Sequence, residues 1–220
     1  MNVLVACEES QRVCTAFREK GHNAFSCDIQ ECSGGHPEWH IMGDALQVIN
    51  GDCLFGTQDD TIHKIEGKWD LIIAHPPCTY LTNAGACRMY PKRGEIDPNR
   101  FAKAMQAKEF FMAFLNADCD KICIENPVPL SLVELPTKTQ IIQPYEFGHP
   151  YTKKTYLWLK GLPNLVPTKI VEPVGPYVCG NAEIWKKQAA KGIVYGKEKS
   201  AKHRSKTFEG IAKAMAEQWG

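Results

Sequence analysis

The sequence predicts an α/β fold with a mostly parallel, doubly wound sheet, and three observations support this prediction. Short apolar runs that are typical of strands alternate with longer stretches of helical periodicity. Polar residues of the kinds used in catalysis follow these runs, where strands are expected to end. The 220 residues are 44% hydrophobic and 23% charged, which is sufficient to bury one core. We therefore expect an α/β core with a functional site at one edge of its sheet.

Five strands and two connecting helices follow from the apolar pattern. Asn2–Ala6 is a short β run, and the helix predicted over Ser10–Lys20 ends at Gly21. A second, longer helix begins at Pro98, with Asp97 as its N-terminal cap. Because strands and helices alternate, a parallel sheet is expected. The remaining strands are predicted at Asn23–Cys27, Trp39–Gly43, Trp69–Ala74 and Lys121–Glu125.

Positive charge is concentrated near the C-terminus, although the whole chain has a net charge of only +1. Between residues 181 and 206, eight lysines or arginines stand against two glutamates, a net charge of +6. A solvated surface explains such a segment, and so do contacts with phosphate groups. Trp185 and Tyr195 lie among these charges and are of the type that stacks on bases.

The ten cysteines are expected to be reduced thiols in a cytoplasmic protein. The first apolar run is too short for a signal peptide, and no segment has the length of a membrane span. For one cluster of two cysteines and two histidines, binding of tetrahedral zinc remains an alternative, although the spacing is not that of a familiar zinc finger. It consists of Cys27, Cys32, His36 and His40.

Polar residues follow the predicted strands at the edge where ligands gather in doubly wound sheets. Asp28 follows the second strand, Asp44 the third and His75 the fourth, and Glu125 ends the fifth. An acidic residue after the second strand is placed to accept hydrogen bonds from the ribose of a nucleoside cofactor. The turn after the first strand reads ACEESQR and lacks the glycines that NAD or FAD requires. S-adenosylmethionine, which has no pyrophosphate, fits this turn better.

Cys78 directly follows Pro76 and Pro77 at the end of a buried strand. A cysteine nucleophile needs a lowered pKa or a neighbouring base, and it must be held against its target. The two prolines fix two φ angles, so the backbone directs the sulfur. The alternative is a Pro-Pro turn followed by an incidental cysteine.

These motifs resemble those of the DNA cytosine-5 methyltransferases, particularly the compact versions encoded by bacteriophages. HPPCTYLTNAG is similar to the family's Pro-Cys nucleophile loop, and IENP, whose glutamate lies 47 residues after Cys78, to its Glu-Asn loop. FGHPYTKKTYLWLKGLP resembles a later motif in which a polar or basic pair precedes a strand. HRSKTFEGIAKAMAEQW is similar to the C-terminal helix beside the cofactor. ACEES stands where the family has its first glycine-rich motif.

The resemblance implies a Rossmann-like, S-adenosylmethionine-dependent methyltransferase acting on C5 of cytosine in DNA. Cys78 would add to C6 of a flipped-out cytosine, and Glu125 would hydrogen-bond N3 and the exocyclic amine. Pro77 and Asn126 complete the implied catalytic set, with Asn126 shaping its loop. The implied cofactor contacts are Ala6, Cys7, Glu8, Ser10, Asp28, Ile29, Asp44, Ala45 and His75. The implied DNA contacts are Thr79, Lys153, Lys154, Lys186, Lys187 and Arg204. For Asp44, a helix N-cap is an alternative that explains the residue nearly as well.

Three segments are expected to divide the chain. Residues 1–163 form the catalytic and cofactor-binding core, residues 164–205 a small basic target-recognition region, and residues 206–220 a helix that returns to the core. The small recognition region predicts loose target choice or a partner protein that provides specificity. We expect a cytoplasmic monomer that binds double-stranded DNA, with no metal and no membrane. The final helix has four apolar residues at helical spacing, Phe208, Ile211, Met215 and Trp219.

Two other functions remain open from the sequence. An amino-group methyltransferase acting on cytosine N4 or adenine N6 also has two prolines after a strand. It has Asp, Asn or Ser before them and an aromatic residue after them, whereas this chain has His75 and Cys78. The second is a non-catalytic nucleic-acid-binding protein on the same scaffold, which the missing glycines of ACEES favour.

Overall fold

A computed structural model of the chain describes residues 1–177 and 204–220. Lys186 and Lys187, and most of the expected target-recognition region, lie outside the described residues. The helices are α1 (Arg12–Glu19), α2 (Ala86–Met89), α3 (Pro98–Leu115) and α4 (Glu209–Trp219). The strands are β1 (Asn2–Ala6), β2 (Asn23–Asp28), β3 (His40–Met42), β4 (Cys53–Gly56), β5 (Ile62–Ile65), β6 (Leu71–Ala74), β7 (Ile122–Pro127), β8 (Gln140–Ile142), β9 (Tyr151–Thr152), β10 (Thr155–Lys160) and β11 (Gly175–Pro176).

Seven strands form a mostly parallel central sheet in the order β3-β2-β1-β6-β7-β10-β8. The chain starts at β1, moves outward to β2 and β3, and then returns to the other side of β1 as β6. Strand order therefore reverses between β1 and β6, which is where open α/β sheets bind ligands. The predicted α/β class with a mostly parallel sheet is confirmed.

The parallel arrangement holds for the five strands that the sequence predicted and ends after them. Strand β10 runs antiparallel to both β7 and β8. Only a 3-10 turn (Pro144–Glu146) and the short strand β9 lie between β8 and β10, so the chain turns back beside itself instead of crossing over the sheet. The connection before β6 also differs from expectation, because it forms the antiparallel hairpin β4–β5.

Helices and loops cover both faces of the sheet. Leu4 and Ala6 of β1 point to a core shared with α3 and the β4–β5 hairpin. Val3 and Val5 point to the other core, which α1 and α4 cover. This alternation is the period-two pattern of a strand buried on both sides. The four apolar residues predicted on the final helix, Phe208, Ile211, Met215 and Trp219, are all buried.

Two helix starts illustrate what the sequence indicates and what it does not. Asp97 Oδ1 accepts a hydrogen bond from Arg100 N at 2.9 Å, so the predicted cap of α3 is confirmed. The first helix begins at Arg12 and not at Ser10, because Gln11 has a left-handed backbone with φ of 56°.

Within the described ranges, no helix combines the length and apolar character needed to cross a bilayer.

Candidate active site

The carboxyl ends of β6 and β7 hold the Cys78 loop in place. His75 N donates to Ala6 O at 2.9 Å, which fixes the start of the loop to β1. The buried Asn126 side chain donates from Nδ2 to Pro76 O at 2.8 Å, which fixes the Pro-Pro step to β7. Leu81 N then donates to Cys78 O at 3.1 Å and closes a tight turn. The loop is therefore held on both sides of the sulfur, while the Cys78 side chain itself is exposed.

Glu125 and His75 form an ion pair at the base of this loop. Strands β6 and β7 are parallel, with Ala74 opposite Ile124, so the next residue of each strand also meets its neighbour. The distance from His75 Nδ1 to Glu125 Oε2 is 2.9 Å, and the two side chains are 11% and 12% exposed. Burial alone would raise the pKa of Glu125, but the hydrogen bond and charge of His75, with Lys153, lower it. Glu125 is therefore ionised in the free protein.

The pKa of the Cys78 thiol is raised above its ordinary value. Desolvation by the surrounding loops contributes most, and the negative charge of Glu125 adds to it. The positive charges of Lys153 and Arg204 act in the opposite direction. The thiol therefore predominates at neutral pH, and its ionisation depends on the charges brought close to the sulfur.

Lys153 faces the same site from the segment before β10. Its backbone N donates to Gln143 Oε1 at 2.9 Å, and its Nζ donates to Arg204 O at 3.0 Å. Lys153, Lys154 and Gln143 line an open cleft that reaches Pro127 at the end of β7. The cleft thus joins the carboxyl end of β7 to a basic surface.

The exposed Thr79 is fixed through its backbone by a residue that the sequence did not single out. Arg100 Nη2 donates to Thr79 O at 2.9 Å, and its guanidinium lies 4.9 Å from the Tyr80 ring centroid. Gly85 provides the space, because a Cβ there would lie 2.8 Å from Arg100 Nη2. The Asp97 cap puts Arg100 in the first turn of α3, which is the signal that could have indicated this contact.

Arg100→Ala should loosen the Cys78 loop without unfolding the protein. The change removes one hydrogen bond, worth about 1 kcal/mol. Backbone amides of the loop should then exchange with deuterium roughly fivefold faster, which peptide-level mass spectrometry measures. Arg93→Ala is the matched control, since Arg93 is an exposed arginine in the turn between α2 and α3. Equal exchange in the two variants would show that Arg100 does not hold the loop.

The predicted cofactor residues lie on the other side of the switch point. Gly43 N donates to Asp28 O at 2.9 Å and so links the ends of β2 and β3. Burial, and then the charges of Asp28, Cys27 and Asp44, raise the pKa of Cys7, so these groups surround one thiol. Exposed apolar side chains neighbour Asp28 and Asp44 along the chain: Ile29 is 78% exposed, Met42 56% and Leu46 37%.

Five predicted cofactor contacts are buried or have structural roles that limit what their side chains can do. Glu8 is buried, and its carboxylate accepts from Val13 N at 2.7 Å and Cys14 N at 3.1 Å, so it caps α1. Asp44 Oδ1 accepts from Leu46 N at 3.0 Å, so Asp44 is an N-cap, the alternative that the sequence offered beside a cofactor role. Three further residues, Ala6, Ser10 and Ala45, are buried.

His75 is also placed differently from the expectation. Its ring lies against Glu125 on the Cys78 side of the sheet, so the structure associates it with the predicted catalytic residues. The cofactor contact expected of His75 stays a prediction, and the structure adds a contact of its ring with Glu125.

The cysteine–histidine cluster does not come together. His40 is buried, with Nδ1 2.9 Å from Ser26 Oγ and Nε2 2.8 Å from Gln30 O, so both ring nitrogens have protein partners. His36 stacks on Trp39 and pairs with Glu38 at 3.0 Å. Among the described residues, no group of three or more potential metal ligands is found.

Comparison with known proteins gives a distant likeness. No protein-family model matches the chain, and no curated protein matches it significantly. Among solved structures, the chain is similar to the Entamoeba histolytica methyltransferase EhMeth, with a TM-score of 0.40 and 14% identity. The match covers 83% of this chain and 61% of that one, so the chain spans about three fifths of that protein. Function must therefore be argued from the site itself.

Proposed function

We propose that this protein is a DNA cytosine-5 methyltransferase that uses Cys78 as a transient covalent nucleophile. The observation that carries the proposal is the pairing of an exposed thiol on a fixed loop with a buried carboxylate on the adjacent strand. The Pro-Pro-Cys and Glu-Asn motifs lie at neighbouring strand ends, and Asn126 ties one to the other. We expect a pyrimidine bound at the carboxyl ends of β6 and β7 to reach both groups.

The thiolate of Cys78 forms a bond to C6 of the cytosine. The electrons of the C5–C6 double bond then move into the ring, and Glu125 assists by passing to N3 a proton that it takes up as the base binds. C5 becomes enamine-like and able to attack an electrophilic carbon. After methyl transfer, a base in solution removes the C5 proton, the double bond re-forms, and the Cys78 thiolate is expelled.

The residues on the cofactor side fit S-adenosylmethionine. Asp28 presents a carboxylate at the position suited to ribose hydroxyls, next to the exposed apolar side chain of Ile29, which suits an adenine face. The turn after β1 achieves its left-handed conformation with Cys7, at φ of 59°, in place of glycine. When bound, the cofactor supplies the electrophilic methyl group. Asp28 and Asp44 would orient it from the ends of β2 and β3.

DNA is the substrate that best explains the charges around the thiol. Lys153, Lys154 and Arg204 lie on the same side as Cys78, and the segment up to residue 206 is basic. Cations at these positions contact phosphates without reading sequence. Because C6 is covered in a duplex, the target base must leave the stack to reach Cys78.

Covalent trapping tests the proposed reaction. A duplex in which 5-fluorocytosine replaces every cytosine removes the need to know the recognition sequence. Fluorine cannot leave C5 as a proton does, so with S-adenosylmethionine present we expect a complex that survives denaturing electrophoresis. Mass spectrometry should place the adduct on the Cys78 peptide. A wild-type protein that binds this DNA and the cofactor but forms no adduct would contradict the proposal.

A further inference from the structure

The imidazole of His75 lies next to the carboxylate of Glu125. The separation of Nδ1 and Oε2 is 2.9 Å, and neither side chain exceeds 12% exposure. The second ring nitrogen, Nε2, is buried and has no hydrogen-bond partner among the described residues. Among the described residues, Glu125 is therefore the one hydrogen-bond partner of the His75 ring.

Three charged groups determine the protonation of this ring. Burial alone lowers the pKa of His75, but the hydrogen bond and charge of Glu125, and then the charge of Glu8, outweigh it and raise the pKa. Lys153 acts in the opposite direction. Cys78, the other titrating group that faces Glu125, is a neutral thiol at the same pH. The pair therefore carries a proton that Glu125 alone would lack.

This inference rests on the proposed function. We propose that His75 is a positioning residue: it supplies the proton that Glu125 gives to N3 of the target cytosine, and it takes that proton back afterwards. An ionised carboxylate has no proton to donate, and Glu125 is ionised in the free protein. The hydrogen-bonded imidazole is the adjacent group able to supply one. This assignment gives a chemical reason for a histidine, and not a small residue, immediately before the Pro-Pro step.

The proton balance is as follows. In the proposed cycle, His75 starts as an imidazolium and Glu125 as a carboxylate. As Cys78 bonds to C6, one proton passes from His75 Nδ1 to Glu125 Oε2, and the carboxyl group passes a proton to N3. His75 is left neutral, Glu125 is again a carboxylate, and the adduct carries no net charge. When the thiolate is expelled, N3 returns the proton by the same route.

Single-turnover adduct formation across pH 5.5–9 tests this role. In the wild type, the rate should rise with pH and level off above the raised pKa of His75, because each further gain in Cys78 thiolate is then offset by the loss of imidazolium. His75→Gln keeps a donor to Glu125 but has no titrating proton, so its rate should continue to rise where the wild type levels off. At pH 6.5 its rate should be roughly a hundredfold below the wild type, a typical loss of general-acid assistance. His36→Gln, at the exposed His36–Glu38 pair, makes the same change away from the site and should keep the wild-type profile.

The outcomes separate this inference from the proposed function. Absence of any adduct in the wild type overturns the proposed function. An adduct in the wild type together with the same pH profile in His75→Gln overturns the role of His75 and leaves the proposed function intact. A slower rate with an unchanged profile likewise overturns it, because a purely structural role lowers the rate without removing the plateau.

A second measurement does not depend on how well the variant folds. Histidine-selective NMR of the wild type should contain one ring that titrates above the ordinary pKa, and this signal should shift in Glu125→Gln. If no described histidine titrates above its ordinary value, the proton store does not exist and the inference is overturned.

Discussion

Cys78→Ala is expected to lower methyl transfer by roughly 10⁴-fold or more, because loss of a covalent nucleophile removes a whole reaction pathway. The side chain is exposed at the tip of a loop held by backbone and Asn126 contacts, so the fold does not depend on the sulfur. Stability should change by less than about 0.5 kcal/mol. Transfer of labelled methyl groups to DNA and urea unfolding measure the two effects.

Cys87→Ala is the matched control for this change. Cys87 is also a free, exposed thiol, and it lies on α2 shortly after the Cys78 loop. It should keep full activity and should still form the adduct with 5-fluorocytosine DNA. An amino-group methyltransferase needs no thiol, so substantial activity in Cys78→Ala would favour that alternative and contradict covalent catalysis.

The position of the site followed from the sequence because strand ends of a parallel sheet meet at one edge. Asp28, His75 and Glu125 each follow or end an apolar run, and each lies near the carboxyl end of a neighbouring strand. The Pro-Pro-Cys step indicated a fixed sulfur, and the contact of Asn126 with Pro76 explains how it is fixed. These inferences needed only the order of the strands along the chain, which local sequence patterns specify.

Contacts between distant segments could not be derived in this way. The His75–Glu125 pair depends on the register of β6 against β7, which no local pattern specifies. The Arg100–Thr79 bond depends on how α3 packs over the loop. Glu8 is an acidic residue after a strand, as Asp28 is, but its backbone turns it toward the first amides of α1. Residue type alone did not distinguish these two carboxylates.

Glu125→Gln should affect both activity and stability, and the pH dependence of stability identifies the cause. In the folded protein the pKa of His75 is raised above its ordinary 6.5, so its contribution is complete below pH 6.5 and is lost as pH rises through the folded value. The pKa of Glu125 is lowered below its ordinary 4.5, so its contribution is complete above pH 4.5 and is lost as pH falls through the folded value. The pair therefore stabilises the fold most between these two ordinary values.

Within that window, Glu125→Gln should lower the free energy of unfolding by about 2 kcal/mol, the scale of a hydrogen bond to a charged group. The difference should shrink as pH rises through the raised pKa of His75, because the imidazole then becomes neutral in the wild type as well. Adduct formation should fall by about 10²- to 10³-fold, since the amide cannot give a proton to N3. Removing the negative charge should also lower the pKa of Cys78, so that iodoacetamide modifies it faster than in the wild type. Glu109→Gln, an exposed change on α3, controls for the lost charge. A stability difference that is constant from pH 5 to pH 9 would show that Glu125 and His75 do not share charge.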